Sequence, residues 1–333
     1  MSTIGIIANP ASGKDIRRLV AHASVFDNNE KTNILQRILL ALDAIGVDRA
    51  LIMPDYYGLG PRALDGIRLS RLRAEILDMP TTGTDRDSTE AAVRLQAMGV
   101  GAILVLGGDG TNRVVAKGCG DIPLVPISTG TNNVFPAMVE GTVAGLAAGI
   151  IAMKVVDLDR VTYRAKRLEV YLDHELVDIA LIDVVTSSDL WIGTRALWNP
   201  SQLREVVLAR AEPGSIGLSS LGSCFQTLGA RDEQGMYLCL GPDGIQMLAP
   251  LGPGLVTPVG VQSHRLISLG EEVRLESGGG TLALDGEREI EIYGRQEIVV
   301  RLTQNGPQVV DISRCITEAA NLGFFCRSAV VRL

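Results

Sequence analysis

The chain has 333 residues, 46% of them hydrophobic and 4% aromatic, which suits two domains of ordinary size, each able to bury its own core. A net charge of −7 argues against a sequence-independent grip on nucleic acid, which needs a basic surface. No run approaches the roughly 18 apolar residues of a membrane span. The segment 3-TIGIIA-8 is too short for a signal core, so a cytoplasmic protein is expected.

From the N-terminus, short apolar runs alternate with helical patterns. Strands are expected at 3–8, 50–54, 74–79, 102–106 and 122–127. Between them, 31-KTNILQRILLALDAIG-46 places Ile34, Leu35, Ile38, Leu39, Leu42 and Ile45 at the three-and-four spacing of an amphipathic helix. A polar helix is expected around 61–73, where Arg68, Arg71 and Arg73 would form a solvated face. Further helices are expected at 87–100, which opens on capping and acidic residues, at 111–118, and at 132–152. In the last of these, 143-VAGLAAGIIAM-153 reads as a buried helix. Strands separated by helices imply parallel pairing, so residues 1–153 should form a doubly wound α/β domain. Its ligand crevice would lie beyond the carboxyl ends of the strands.

After residue 153 the pattern changes to short Val/Leu/Ile-bearing segments broken by Gly, Pro and Asp: 162–172, 176–186, 235–240, 244–249, 265–275, 280–285 and 288–293. These predict a mostly antiparallel β domain over 154–305, with 250-PLGPGLVTPVG-260 as an internal loop. The segment 306–333 regains helical spacing at 311-DISRCITEAANLGFF-325 and should pack back on the first domain. Cys119, Cys224, Cys239, Cys315 and Cys326 are odd in number and form no CxxC pair, so reduced core thiols are expected. His22, His174 and His264 lie at no metal-ligand spacing.

Chemistry concentrates in 102-AILVLGGDGTNRVV-115. At a strand end, Gly107, Gly108 and Gly110 permit backbone angles and close approach that a β-carbon would forbid. Their N–H groups and those of the following helix could bind phosphate. The Asp109 carboxylate cannot face that phosphate favourably unless a metal intervenes or it takes a proton from a hydroxyl, and both uses belong to phosphoryl transfer. No GxxxxGKS/T occurs, no GxGxxG follows the first strand, and no GxSxG elbow is present.

GGDGT after a strand resembles the NAD kinase and diacylglycerol kinase superfamily. Other segments agree in order: 9-NPASGK-14 is similar to its NPxSG loop, and 128-STGTNN-133 to the lipid-kinase P-x-GTxND loop. The stretch 180-ALIDVV-185 resembles ALNEVV, 257-TPVGVQSH-264 loosely resembles TP-x-x-PH, and 284-LDGE-287 resembles a later DG turn. Within the superfamily the chain is most similar to the acetoin-catabolism protein X group of ATP- or polyphosphate-dependent NAD kinase-like proteins. The resemblance implies that Asp109 activates the acceptor hydroxyl. It also implies that Gly107, Gly108, Gly110 and Thr111 cradle phosphate near Asn9, Ser12 and Lys14, and that Thr129, Gly130, Thr131 and Asn132 wall the nucleotide pocket. Asp183 stands where the family's Glu meets the acceptor ribose, and in a strand it would share a face with Leu181 and Val185, opposite Ile182.

Two departures bear on the substrate. Ile182 replaces the Asn of the dinucleotide-holding pair, and the family's His falls on Gln262 rather than His264 without a gap. Plainer readings stand beside these: Lys14 as a solvated loop lysine, Asp285 and Glu287 as an ordinary hairpin turn, His264 as a packed or surface residue. Trp191 and Trp198 around 192-IGTRAL-197 read as core or interface. The expected activity is phosphorylation of a small-molecule hydroxyl, foremost NAD to NADP. ATP would be the donor, with polyphosphate as the alternative, and magnesium or another divalent metal would act as cofactor. A lipid or small polyol as acceptor, and a nucleotide-binding regulator without turnover, are the rival readings. Nucleotide substrates and a homo-oligomer, dimer or larger, are the expected partners.

Overall fold

The computed structural model describes residues 1–13, 26–130, 132–189, 200–276 and 278–326. In chain order the first elements are β1 (Thr3–Ala8), α1 (Asn28–Ile45), β2 (Arg49–Ile52), α2 (Leu59–Asp65), β3 (Arg73–Ile76) and α3 (Arg86–Ala97). They continue with β4 (Ala102–Gly107), α4 (Asp109–Ala116), β5 (Leu124–Ser128), α5 (Gly141–Ala152), α6 (Leu158–Val161) and β6 (Thr162–Arg164). Strands β3, β2, β1, β4 and β5 pair in that order, all parallel. The order reverses direction between β1 and β4, where the crevice of such a sheet is expected.

Alternation along β1 sets the layers. Ile4, Ile6 and Ala8 join the core under α1 and α5, whereas Ile7 joins the opposite core under α3. Helix α1 starts where the Asp27 carboxylate accepts the Glu30 N–H at 2.8 Å and stops at Gly46, whose φ of 88° only glycine adopts without strain.

The remaining elements are β7 (Arg167–Leu172), β8 (Glu175–Ala180), β9 (Asp183–Ser187), β10 (Leu203–Leu208), α7 (Leu218–Ser223), β11 (Gln234–Gly252) and β12 (Leu255–Ser268). They end with β13 (Glu272–Leu275), β14 (Gly280–Leu284), β15 (Glu287–Ile292), β16 (Ile298–Thr303), β17 (Gln308–Val310) and α8 (Ile312–Asn321). Antiparallel sheets β12-β11-β10-β9-β14-β15 and β13-β16-β7-β8 pack face to face around Val170, Val184, Val207, Leu282 and Val300. Strand β17 returns to the first sheet between β5 and β6, and α8 inserts Cys315 and Ala319 into the core under α5. This is a mixed α/β fold with one mostly parallel and two antiparallel sheets.

Several expectations need correction. The helix expected over 61–73 ends at Asp65; the Asp43 carboxylate takes the N–H groups of Ser70, Arg71 and Leu72 and holds them in a loop. Arg68 and Arg71 are exposed on that loop and Arg73 opens β3. The helix expected over 132–152 begins only at Gly141, because Pro136 disfavours helical geometry before it and the Val134 and Phe135 N–H groups are engaged by Asp109. Residues 250–260 are no loop but the tip of the β11–β12 hairpin. Strands β10 and β16 escaped the sequence reading, although 203-LREVVL-208 and 298-IVVRLT-303 carry the β-branched signal. The cysteines are free, yet only Cys119 and Cys315 are buried; Cys224 and Cys326 are exposed. Trp191, Trp198 and 192–197 lie outside the described residues, and among those described no helix is long and apolar enough to cross a membrane.

Candidate active site

The ends of β1, β4 and β5 are fastened to one another. Asn9 Nδ2 donates to Thr111 Oγ1 at 2.9 Å, and the Asn9 N–H donates to the Leu106 carbonyl at 3.0 Å. Ser12 and Thr129 share a hydroxyl–hydroxyl bond of 2.8 Å. Beneath the 9–13 loop, Lys31 of α1 is fully buried, and its Nζ donates to the carbonyls of Asn9, Pro10 and Ser12 at 2.9, 3.2 and 2.6 Å. Gly13 has φ 71°, and a β-carbon there would lie 2.5 Å from the Thr129 carbonyl oxygen. The side chains of Asn9, Ser12, Thr111 and Thr129 are therefore used between the loops. Lys14 and Thr131 lie outside the described residues.

None of the three glycines of GGDGT has a positive φ, and close approach accounts for Gly107 and Gly108 alone. A β-carbon on Gly107 would be 2.4 Å from Thr111 Cβ, and one on Gly108 would be 2.8 Å from Asn133 Oδ1. One on Gly110 would sit 3.6 Å from Glu287 Oε2, an ordinary contact that places the Glu287 carboxylate over the start of α4. Gly130 backs onto Asn133 in the same way, at 3.2 Å.

Asp109 is the first residue of α4, and its carboxylate is buried. It accepts the Phe135 N–H at 2.7 Å and the Val134 N–H at 3.1 Å. It also lines an open cleft together with Asn132, Asp183 and Asp285. Both amide atoms of Asn132 are buried without a hydrogen-bond partner among the described residues, the expected state of a group that awaits a ligand. The far wall is apolar: Pro200, Leu203 and Leu251, with Ile216–Ser219 at the start of α7.

The 284-LDGE-287 segment is both hairpin turn and site wall. Asp285 and Gly286 have φ of 52° and 79°, the type I′ geometry that Asp-Gly favours between β14 and β15. The Asp285 carboxylate accepts N–H groups from Leu181, Ile182 and Asp183 at 2.9, 2.7 and 3.3 Å. The Gly286 N–H returns to Asp183 Oδ1 at 3.1 Å. This corrects the expected strand over 176–186. The chain breaks at Leu181–Ile182, leaving β8 in one sheet and β9 in the other, so alternation does not carry across the break. Ile182 and Asp183 consequently line the cleft together.

Arg113, one turn beyond Asp109 on α4, fixes this assembly. It is 2% exposed, with Nη1 3.0 Å from Asp178, Nη2 2.8 Å from Glu289 and Nε 4.0 Å from Asp285. Sequence reasoning missed Arg113, Lys31, Arg210, Asn133 and Ile216–Ser219. Only Arg113 left a signal, its i+4 spacing from Asp109. His264, by contrast, is exposed on β12, stacked on Phe225 at 4.0 Å, and Gln262 is exposed on the same strand; neither belongs to the cleft lining. The 257–264 match fails because those residues form an edge strand.

Burial pushes the Asp109 carboxyl up to about 7, and the neighbouring Asp285 charge adds to the effect. The Phe135 and Val134 amides and Arg210 pull the other way. Burial also raises Asp285, opposed by Arg113 and three backbone amides. With more donors around it, Asp285 is the better home for the pair's negative charge and Asp109 for its proton. Among the described residues no three His, Cys, Asp or Glu side chains converge where they could hold a metal ion by themselves.

Residues 4–155 match a family model described as the ATP-NAD kinase N-terminal domain, and residues 166–305 one described as the acetoin catabolism protein X C-terminal domain. A Cupriavidus necator protein named acetoin catabolism protein X is 38% identical over 331 residues, spanning 95% of this chain and 92% of that one. The fold is shared with a yeast NADH kinase solved with NADH bound, at a TM-score of 0.54 and 16% identity, over 100% of this chain and 90% of that one.

Proposed function

The chain belongs to the acetoin catabolism protein X family, and on that premise we propose that it is a phosphotransferase acting on a small-molecule hydroxyl. The observation that carries the reading is Asp109: a buried carboxyl with its proton affinity raised to near neutrality, between phosphate-type loops and an open cleft. The acceptor hydroxyl passes its proton to Asp109, its oxygen attacks the terminal phosphorus of the donor, and the bridging P–O bond breaks towards the departing phosphate chain. ATP is the donor in this reading, with polyphosphate as the alternative, and the 9–13, 107–111 and 129–132 loops bind its phosphates. Magnesium enters as the nucleotide's own counter-ion, ligated by phosphate oxygens.

NAD is the leading acceptor, in keeping with the matched N-terminal family model. Asp183 would hold a ribose hydroxyl, and Asn132 would supply the missing hydrogen bonds. A smaller uncharged polyol is the second reading, favoured by Ile182, which puts a hydrocarbon in the cleft where a dinucleotide would want an amide. The test is release of ADP, or shortening of polyphosphate, with NAD and with a panel of small hydroxy compounds. Turnover abolished by Asp109→Asn supports the assignment. No turnover with any acceptor, alongside measurable ATP binding, favours a regulator that kept only the site.

A further inference from the structure

We propose that Arg210 is a positioning residue for Asp109: packed between the Phe135 ring and the Val134 carbonyl, its guanidinium sets the two amides that grip the carboxylate and supplies the nearby positive charge. Arg210 follows β10 and is 3% exposed. Its guanidinium carbon lies 4.8 Å from the centroid of the Phe135 ring, and Nη1 donates to the Val134 carbonyl at 3.4 Å. Val134 and Phe135 are the same two residues whose N–H groups reach Asp109. One cation from the β-rich half thus fixes the loop that fixes the aspartate.

The charge itself is poorly matched. The nearest carboxylate, Glu212, stands 3.9 Å away, and Nε and Nη2 are buried with no hydrogen-bond partner among the described residues. Arg113 differs: it is shared among Asp178, Glu289 and Asp285. Around Asp109 the charged groups are Asp285 and Glu287 from the β14–β15 hairpin, Asp183 from β9, Arg113 from α4 and Arg210 from the end of β10. Behind Arg210 stands Lys166, whose Nζ donates to the Gln234 carbonyl at 2.6 Å. With Arg113 committed to three acids, Arg210 is, among the described residues, the cation whose field remains for Asp109. In a site this buried, that field is weakly screened.

The inference rests on reading Asp109 as the proton acceptor, and its test does not need the acceptor's identity. Carbon-13 NMR of Asp-labelled protein follows the carboxyl titrations, with Asp109→Asn assigning the Asp109 resonance. The expected wild-type midpoint is about 7. Arg210→Met should raise it measurably, because a positive charge that favours the carboxylate is lost and the Val134–Phe135 loop is loosened, and Arg210→Lys should bring most of it back. Arg210→Gln serves where Arg210→Met does not fold, since it keeps a donor for the Val134 carbonyl and loses only the charge. An unmoved midpoint in either folded variant overturns the proposal. A wild-type midpoint in the ordinary aspartate range sinks the catalytic reading of Asp109 instead, while movement on Arg210→Met still decides this one.

Discussion

Consider Asp109→Asn followed by urea unfolding at pH 5 and pH 8.5. In the wild type the folded carboxyl titrates near 7, whereas in the unfolded chain it titrates near 3.8. Below both values the proton is bound in either state and costs nothing. Between them the native state keeps a proton that the unfolded chain has released, so stability falls as pH rises, and the loss is complete above the folded value. About two pH units of that window lie above pH 5, and at about 1.4 kcal/mol per unit the wild type loses roughly 3 kcal/mol by pH 8.5. Asparagine does not titrate, and its Oδ1 can still accept the Val134 and Phe135 amides. The stability difference between variant and parent should therefore widen by roughly 3 kcal/mol in the variant's favour from pH 5 to 8.5. Phosphoryl transfer should fall by about 10²–10⁴-fold at the same time. Parallel stability curves would refute the reasoning, because the carboxyl would then titrate as an ordinary surface aspartate.

Lys31→Met removes the ammonium that gathers the Asn9, Pro10 and Ser12 carbonyls, so the donor KM should rise by about tenfold, near the worth of one charged hydrogen bond, with little change in the acceptor KM; equal effects on both would mean general unfolding. Arg113→Met leaves Asp178, Asp285 and Glu289 facing one another in the interior and should cost about 3–5 kcal/mol in urea unfolding, whereas a loss under about 1 kcal/mol would show that Lys117, 2.6 Å from Asp178, suffices. Ile182→Asn should improve kcat/KM for NAD by up to roughly tenfold, the worth of one hydrogen bond; NAD inert with both proteins while a smaller polyol turns over would discard the dinucleotide.

The α/β half was legible because its signals are local. Period, capping residues and glycine loops each reside within a few residues, and β1, β4 and β5 with their loops fell where the apolar runs put them. The β-rich half was legible as a class and not in detail, since its strands are defined by partners far along the chain. Asp285 shows why. Read alone, 284-LDGE-287 is a hairpin turn; its carboxylate defines the break at 181–182 only because the fold brings it there. Lys31 and Arg210 were invisible for the same reason. Each looks like one more charged residue until its burial and partners are known.

The reaction and the substrate are written in the molecule with different clarity, and the geometry explains the difference. The reacting end of the cleft is built from backbone: the Val134, Phe135, Leu181 and Ile182 amides gripping two carboxylates, and loops whose own side chains are tied to each other. Such a frame demands glycines and aspartates at fixed places, which is why it survives as a motif. The far end is side-chain hydrocarbon, Leu203, Ile216, Leu218 and Leu251, where many residues would serve and none is diagnostic. Two features at the boundary discriminate among acceptors. Asn132 offers a donor and an acceptor unpaired among the described residues, and Ile182 offers neither. An acceptor that presents hydroxyls towards Asn132 and Asp183 and an apolar edge towards Ile182 fits both, and the competition between NAD and a small polyol is decided there.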